Sequence, residues 1–161
     1  RDGALVLALR VWPAEWIRDL PEPDSDHRQR IATARSMDNG LTWTDYQIHF
    51  DYGRMHTDLI TLANGDIMMT YASRMGDIDG EMFHGVEAVL SHDNGQTWDW
   101  DNRFILFRWA MHESMAWPVS MELADGRILT VFLYHYWPSW GEGAPDLPGH
   151  LITSAVIWSP K

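Results

Sequence analysis

Apolar and polar residues alternate over short stretches of this chain, and Gly, Asn and Asp residues separate the stretches. Alternation with a period of two indicates β-strands that bury one face and expose the other. The clearest series of such stretches lies in the middle of the chain, at 57–62, 66–72, 87–90 and 103–107. These four stretches predict one complete, four-stranded antiparallel sheet.

An incomplete series of strands lies on each side of this predicted sheet. The earlier series has strands at 4–11, 31–36 and 46–50 and lacks a first strand. The later series has strands at 118–123, 127–134 and 150–158 and lacks a fourth. We therefore divide one structural domain, 1–161, into three parts: 1–52, 53–109 and 110–161.

Two different motifs each occur twice, at nearly the same interval. The octapeptide Ser-X-Asp-Asn-Gly-X-Thr-Trp spans 36–43 and returns 55 residues later at 91–98. The segment Leu-Ala-Asn-Gly-Asp-Ile-Met at 62–68 returns 61 residues later as Leu-Ala-Asp-Gly-Arg-Ile-Leu at 123–129. Two repeats with one period define a repeated structural unit.

Both motifs are predicted to be hairpin turns. Asn-Gly and Asp-Gly favour the positive φ angles of tight two-residue hairpins. In the octapeptide, the Ser and Asp side chains can bond to backbone N–H groups of the same turn. The two tryptophans of this motif, Trp43 and Trp98, are predicted to pack over the hairpin, and Trp100, Trp109 and Trp158 are also interpreted as structural.

The octapeptides are Asp-box motifs. Together with the second repeat and the segment 150–160 they make the chain resemble the sialidase (neuraminidase) superfamily, whose Asp-boxes are also called BNR repeats, over essentially its whole length. The resemblance implies an all-β fold, a β-propeller that is six-bladed when complete, with about three four-stranded antiparallel blades present here. We expect the chain to be the C-terminal portion of a longer protein, or else two copies to close the ring.

Composition limits the partners that this domain can take. Twelve Lys and Arg residues against 23 Asp and Glu residues leave a net charge of −11, so neither nucleic acid nor an anionic membrane is expected to bind. The only lysine is Lys161, so an anion would have to meet arginine, histidine or backbone N–H groups. No cysteine is present and no cofactor is expected. The resemblance implies a secreted or periplasmic location.

The predicted topology places both kinds of turn at one end of the blades. In the resembling family the ligand lies at the opposite end, where three arginines bind the sugar carboxylate, a tyrosine paired with a glutamate is the nucleophile and an aspartate is the acid/base. Guanidinium groups suit a carboxylate because two parallel hydrogen bonds match its geometry. A glycan or small sugar is thus the expected partner.

Arg74 is the leading substrate-binding candidate, because it directly follows a predicted strand, as one clamp arginine does in sialidases. An ion pair with Asp77 or Asp79 is the alternative. The other substrate-binding candidates share a position at this ligand end: Arg54, Arg10, His56, His112, Trp117, Trp137 and Trp140. Trp12 and Trp16 lie in the same loops, where aromatic rings can stack on sugar rings.

Three residues are candidates for catalysis. Asp58 lies two residues after His56 and Glu113 directly follows His112, and both lead into predicted inner strands, which suits proton transfer. Satisfaction of strand-end backbone groups is the alternative for both. Trp117 occupies the position at which the resemblance would place the nucleophilic tyrosine, so Tyr134, near the same end, is the candidate. Glu87 stands where many related proteins carry an arginine.

Four histidines map to the ligand end: His56, His84, His112 and His135. They could converge on a divalent metal with Asp58 or Glu113, but their spacing matches no known ligand pattern, and no metal is predicted. The leading functional interpretation is a sialidase-like exo-glycosidase that acts on terminal sugars of glycans. The alternatives are a non-catalytic propeller that binds glycan or protein, and a scaffold within a closed complex.

Overall fold

The computed structural model describes residues 2–12, 15, 29–75, 83–109, 116–136 and 150–160. Within them lie ten β-strands and a short 3-10 helix, Trp100–Asn102. The strands are β1 (Leu5–Val11), β2 (Arg30–Ser36), β3 (Thr44–Ile48), β4 (Arg54–Thr61), β5 (Ile67–Met75), β6 (Phe83–Ser91), β7 (Phe104–Trp109), β8 (Val119–Glu122), β9 (Ile128–Tyr136) and β10 (His150–Trp158). The described residues include no helix of the length and apolarity needed to cross a membrane.

The strands form three antiparallel sheets that follow one another along the chain. The first sheet has the order β1-β2-β3, the middle sheet β4-β5-β6-β7 and the third sheet β8-β9-β10. Each predicted strand is present, and the two outer sheets have three strands each, as predicted. The fold is all-β and consistent with part of a propeller.

Strands of the middle sheet extend further than the apolar alternation predicted. β4 begins at Arg54, β5 continues to Met75 and β6 begins at Phe83, with Arg74 paired to His84 in the ladder. Polar residues such as Arg54, Arg74 and His84 interrupt the apolar alternation near these ends, whereas the ladder needs only backbone hydrogen bonds. The ends are important because they hold the candidate functional residues.

The turns between β4 and β5 and between β8 and β9 differ from the predicted two-residue hairpins. In the first, the N–H of Gly65 donates to the carbonyl of Leu62, and the N–H of Leu62 donates to the carbonyl of Asp66, both at 2.8 Å. Within these two turns, only the glycines, Gly65 and Gly126, have positive φ. Each loop therefore has three residues, since a type I turn followed by one left-handed glycine preserves the strand twist.

The two octapeptide turns are closed by their own side chains, as predicted. In the second, the Ser91 Oγ accepts from the Gly95 N–H at 2.7 Å, and the Asp93 Oδ1 accepts from the Thr97 N–H at 2.8 Å. The first repeats both bonds with Ser36 and Asp38, at 2.8 Å each. Trp98 is 7% exposed, whereas Trp43 remains 42% exposed, so the packing prediction holds better for the second turn.

The three sheets pack face to face through two apolar layers. Between the first and middle sheets, Ile31 belongs to one buried cluster with Met69, Tyr71, Val89 and Trp98. Between the middle and third sheets lie two clusters with one member of β9 each, Phe132 and Ile128. Alternate residues of β5 supply both layers, because successive side chains of a strand point to opposite faces.

Buried polar groups also join the sheets. Arg35, 7% exposed, donates to the carbonyl of Asn94 at 3.0 Å and forms an ion pair with Asp2.

The two ends of the sheets differ in the connections that they carry. We call the end with the hairpins and octapeptides the turn end, and the end where β4, β6 and β8 begin the rim end.

Candidate functional site

The rim end gathers most of the predicted site residues that the structure describes. β4 begins there with Arg54, His56 and Asp58, and Arg74 and His84 face one another across β5 and β6. Trp117 lies two residues before β8. The antiparallel order brings these residues together because alternate strands begin where their neighbours end.

His56 and Trp117 form an aromatic pair between the middle and third sheets. Their ring centroids are 5.5 Å apart, and the ring planes meet at 73°, an edge-to-face contact. Trp117 is 44% exposed. The structure thus brings together two residues that the sequence separately nominated for substrate binding; we call the pair the rim platform.

The backbone at His56 is held in a conformation that a non-glycine residue seldom adopts. Its φ is 53°, and the register of β4 with β5 shifts between Met55 and Asp58. This local irregularity is a β-bulge, which redirects a side chain away from the regular alternation. Strained backbone of this kind is concentrated at binding and catalytic sites.

Asp58 connects the middle sheet to the third. Its Oδ2 accepts a hydrogen bond from the backbone N–H of Ser120 at 2.7 Å. The Ser120 hydroxyl lies 3.0 Å from the Thr70 hydroxyl and 2.9 Å from that of Thr130, which accepts from the Trp158 indole N–H. Asp58 therefore has a structural bond, and the catalytic role stays a prediction.

Arg74 and His84 lie inside the protein rather than on its surface. Arg74 is 4% exposed and His84 is fully buried. Both are on the same face of the middle sheet as Val86, which packs toward the third sheet. Arg74 is thus buried, and Asp77 and Asp79 lie outside the described residues, so its binding role and the alternative ion pair both stay predictions.

The opposite face of the middle sheet holds a charge cluster that sequence reasoning missed. The Glu87 carboxylate is fully buried. It accepts from the Tyr71 hydroxyl at 2.7 Å and from Arg108 Nη2 at 2.5 Å. Arg103 Nε and Arg54 Nε lie 3.4 and 3.7 Å from it. An acidic residue inside the apolar run 86–89 was the available signal, because buried carboxylates need partners.

Gly85 makes room for this cluster. A Cβ at this position would lie 2.2 Å from the carbonyl oxygen of Phe107 and 3.0 Å from Arg108 Nη1. The side chain of Arg108 thus crosses the strand at the one residue that has no side chain of its own. Any other residue would displace the guanidinium from Glu87.

The electrostatics keep Tyr71 neutral and Glu87 charged. Burial, together with the charge and the hydrogen bond of Glu87, raises the pKa of Tyr71 well above 10.0. Burial alone would raise the pKa of Glu87, but the bonds from Tyr71 and Arg108 and the nearby arginine charges lower it below 4.5. The cluster is an ionised carboxylate held by a neutral phenol and by guanidinium groups.

Tyr71 and Glu87 have the composition of a nucleophilic tyrosine–glutamate pair, but no substrate can reach the phenol. Tyr71 is 0% exposed and contacts the rings of Phe50 and Trp100. Arg54 also packs over the Phe50 ring, 4.1 Å from its centroid. The cluster therefore joins the first and middle sheets and contributes no reacting group.

The remaining predicted residues are placed only in part. Arg10 is exposed at the rim end of β1, and Trp12 just beyond it is 70% exposed. Tyr134 lies near the rim end of β9, and its side chain is outside the described part. The same is true of every residue in a last group, Trp16, His112, Glu113, Trp137 and Trp140. No three metal-ligating side chains converge among the residues that the structure covers.

Comparison with known proteins gives a match in structure and none in sequence. No protein-family model matches the chain, and no curated protein does. A protein of unknown function from Dyadobacter fermentans has 20% identity and a TM-score of 0.62, over 98% of this chain and 48% of that one. The GH93 α-L-arabinofuranosidase of Fusarium graminearum, in complex with arabinobiose, has 14% identity and a TM-score of 0.62, over 97% and 41%.

At these identities the similarity concerns the fold. It agrees with a propeller-like, all-β architecture, and one of the similar structures is a glycosidase. This chain spans less than half the length of either similar structure.

Proposed function

We propose that this chain belongs to a sialidase-fold propeller that acts as an exo-glycosidase on the terminal sugars of glycans. The observation that carries the proposal is the rim platform, in which exposed Trp117 is held against His56 at 5.5 Å. A fold shared with a glycosidase supports it.

The rim platform has the properties of a sugar-stacking surface. A tryptophan that is 44% exposed offers apolar area, and the apolar face of a pyranose or furanose ring can cover it. His56, fixed by a bulge with positive φ, holds the Trp117 ring in an edge-to-face contact and so sets the plane of the stacking surface. Such a surface binds a sugar ring in one orientation.

Arg74 is proposed to recognise an acidic group of the sugar. It lies at the rim end of β5, where 4% of its surface is exposed, and a carboxylate that reached it there would be largely shielded from the screening that weakens a surface charge. A planar guanidinium can then bind a carboxylate through two parallel hydrogen bonds. Arg10, on the first sheet, is proposed to assist in binding this acidic group. The positive charge of Arg54 is proposed to attract it.

The catalytic assignments are proposals of the same kind. Asp58 or Glu113 would be the acid/base, and Tyr134 the nucleophile, in the tyrosine-based scheme of sialidases. The bond from Ser120 to Asp58 Oδ2 would orient the carboxylate and leave Oδ1 for proton transfer.

The ring is proposed to contain six blades, completed by further chain or by a partner. The described residues of two copies contribute twenty strands, whereas six four-stranded blades need 24. The other four strands would come from outside the described residues. A secreted or periplasmic location is proposed with this assignment.

Replacement of Trp117 tests the proposed platform. Trp117→Ala should weaken the binding of a terminal sugar at least tenfold, because burial of an apolar ring face contributes about 1.5 kcal/mol. Titration calorimetry against a panel of glycans measures the change. Trp43→Ala is the matched control, since Trp43 is 42% exposed but lies at the turn end. Equal affinity of the two variants would refute the rim platform.

A non-catalytic glycan-binding propeller is the second candidate function. Two observations favour it: Asp58 is bonded to the backbone of the neighbouring sheet, and the described tyrosine–glutamate pair is sealed from solvent. The substrate-binding platform would be the same in both cases.

Asp58→Asn separates the two functions. An asparagine can keep the bond from Ser120 through its amide oxygen, so the melting temperature should change by no more than a few degrees. If Asp58 is the acid/base, turnover of aryl glycosides should fall by about 100-fold or more. Absent turnover in the unmodified protein, with glycan binding intact, would establish the binding function instead.

A further inference from the structure

A pocket lies at the turn end of the middle sheet, at the opposite end from the rim platform. Its volume is about 570 Å³, which falls within the range of small-molecule sites. It opens beside the second octapeptide, where β6 ends and β7 begins, and the segment after β10 forms one side.

One wall of the pocket is apolar and is fixed by packing. Leu90, Phe104 and Pro160 form it. The Phe104 ring packs on Trp158 of the third sheet, with centroids 5.0 Å apart. Two sheets thus hold the wall in place, and a flat apolar ligand face would meet a preformed surface.

The other wall presents hydrogen-bonding groups. The Asn102 amide N donates to both oxygens of Asp99 at 3.0 Å, which leaves its amide oxygen as an acceptor. Arg103 donates from Nη1 to the carbonyl of Trp100 at 3.2 Å and turns Nε toward Glu87, which leaves Nη2 as a donor. His92 is held by Asp66 at 3.0 Å.

We propose that this pocket is a second carbohydrate site, one that takes a neutral sugar ring. A sugar has an apolar face that suits Leu90, Phe104 and Pro160, and its hydroxyl groups both donate and accept. The Asp99 carboxylate disfavours an anionic sugar, because the charge of Arg103 is partly neutralised by Glu87. This site goes beyond the proposed function and does not depend on it.

The test uses Trp117→Ala as a background, since that variant removes the rim platform. Saturation-transfer NMR and calorimetry on the full chain would measure binding of D-glucose, D-galactose and L-arabinose, with D-glucuronate as the charged match of glucose. At least one neutral sugar should bind saturably in this background and should bind at least tenfold more tightly than D-glucuronate. Asn102→Ala, added to Trp117→Ala, should weaken that binding at least tenfold.

Three results would overturn the proposal: no saturable binding in the Trp117→Ala background, unchanged affinity after Asn102→Ala, or glucuronate binding as tight as glucose. Asn102 is exposed, so its variant should fold, and a circular-dichroism melt checks this. Asp99→Asn provides a second variant of similar shape that should also weaken binding. A failure of the rim proposal would give a different result: Trp117→Ala would leave the total sugar binding and the turnover unchanged.

Discussion

Glu87 is a fully buried carboxylate whose charge is balanced by arginines from separate segments of the chain. Such a group is expensive to bury and stable only while its partners stay in place. Arg108 reaches it across Gly85, so the smallest residue of β6 determines whether this charge cluster can form. This dependence makes Gly85 a sensitive position of the middle sheet.

Gly85→Ala should destabilise the protein by about 3 kcal/mol or more, because the new Cβ would overlap the Phe107 carbonyl and displace Arg108 from Glu87. Gly126→Ala is the control: its added Cβ has open space, so only the cost of a left-handed backbone remains, about 1–2 kcal/mol. Urea unfolding of both variants measures the difference. A smaller loss for Gly85→Ala than for Gly126→Ala would contradict the role given to Gly85.

At the scale of elements, turns and strands followed their local sequence closely. The octapeptides closed through Ser91 and Asp93, as their side chains predicted, because the donors and acceptors lie within four residues of one another. The length of the hairpin loops was less predictable. Leu62 and Asp66 enclose three residues, because the twist of the backbone and not the Asn-Gly pair determines the loop length.

Strand ends were the least predictable part of each element. β4 and β6 begin earlier than the apolar alternation indicated, at Arg54 and Phe83. The residues gained include Arg54 and His84, whose polar side chains interrupt the alternation while their backbone stays in the ladder. The bulge that turns His56 toward Trp117 also left no signal in the local sequence, because it arises from the register of β4 with β5.

At the scale of the whole molecule, three sheets pack in succession, and polar groups between them determine how the stack responds to conditions. His49 follows β3 and lies between the first and middle sheets. Its Nε2 lies 2.8 Å from the Thr33 hydroxyl, and its ring lies 4.9 Å from that of Trp100. Burial lowers the pKa of His49 from 6.5 to about 4.

This shift predicts a loss of stability in acid. Folded protein keeps His49 neutral, whereas unfolded protein protonates it below about pH 6.5, so the free energy of unfolding should fall as the pH drops from 6.5 toward 4. His49→Gln removes the titrating group and can retain the bond to Thr33. Across this pH range the unmodified protein should take up close to one more proton on unfolding than the variant. The assignment would be contradicted if the free energies of unfolding of the two proteins, from denaturation curves at each pH, changed with pH in parallel.

The outer faces of the first and third sheets carry exposed apolar side chains. Val119 and Met121 flank Ser120, which faces the middle sheet, so both point away from it, and they are 62% and 55% exposed. On the first sheet, Tyr46 and Ile48 are 56% and 44% exposed. Apolar sheet faces of this kind favour packing against further sheets and support the proposed ring.

The sequence by itself determined the repeated turns, the ten strands and their grouping into three antiparallel sheets. Each depends on residues that are neighbours in the chain, and short-range patterns record such relations. Only the tertiary structure decided that Glu87 meets Arg54 and Arg108, and that His56 meets Trp117. Those residues are far apart in sequence, and they meet because strand register and sheet packing fix which side chains share a face.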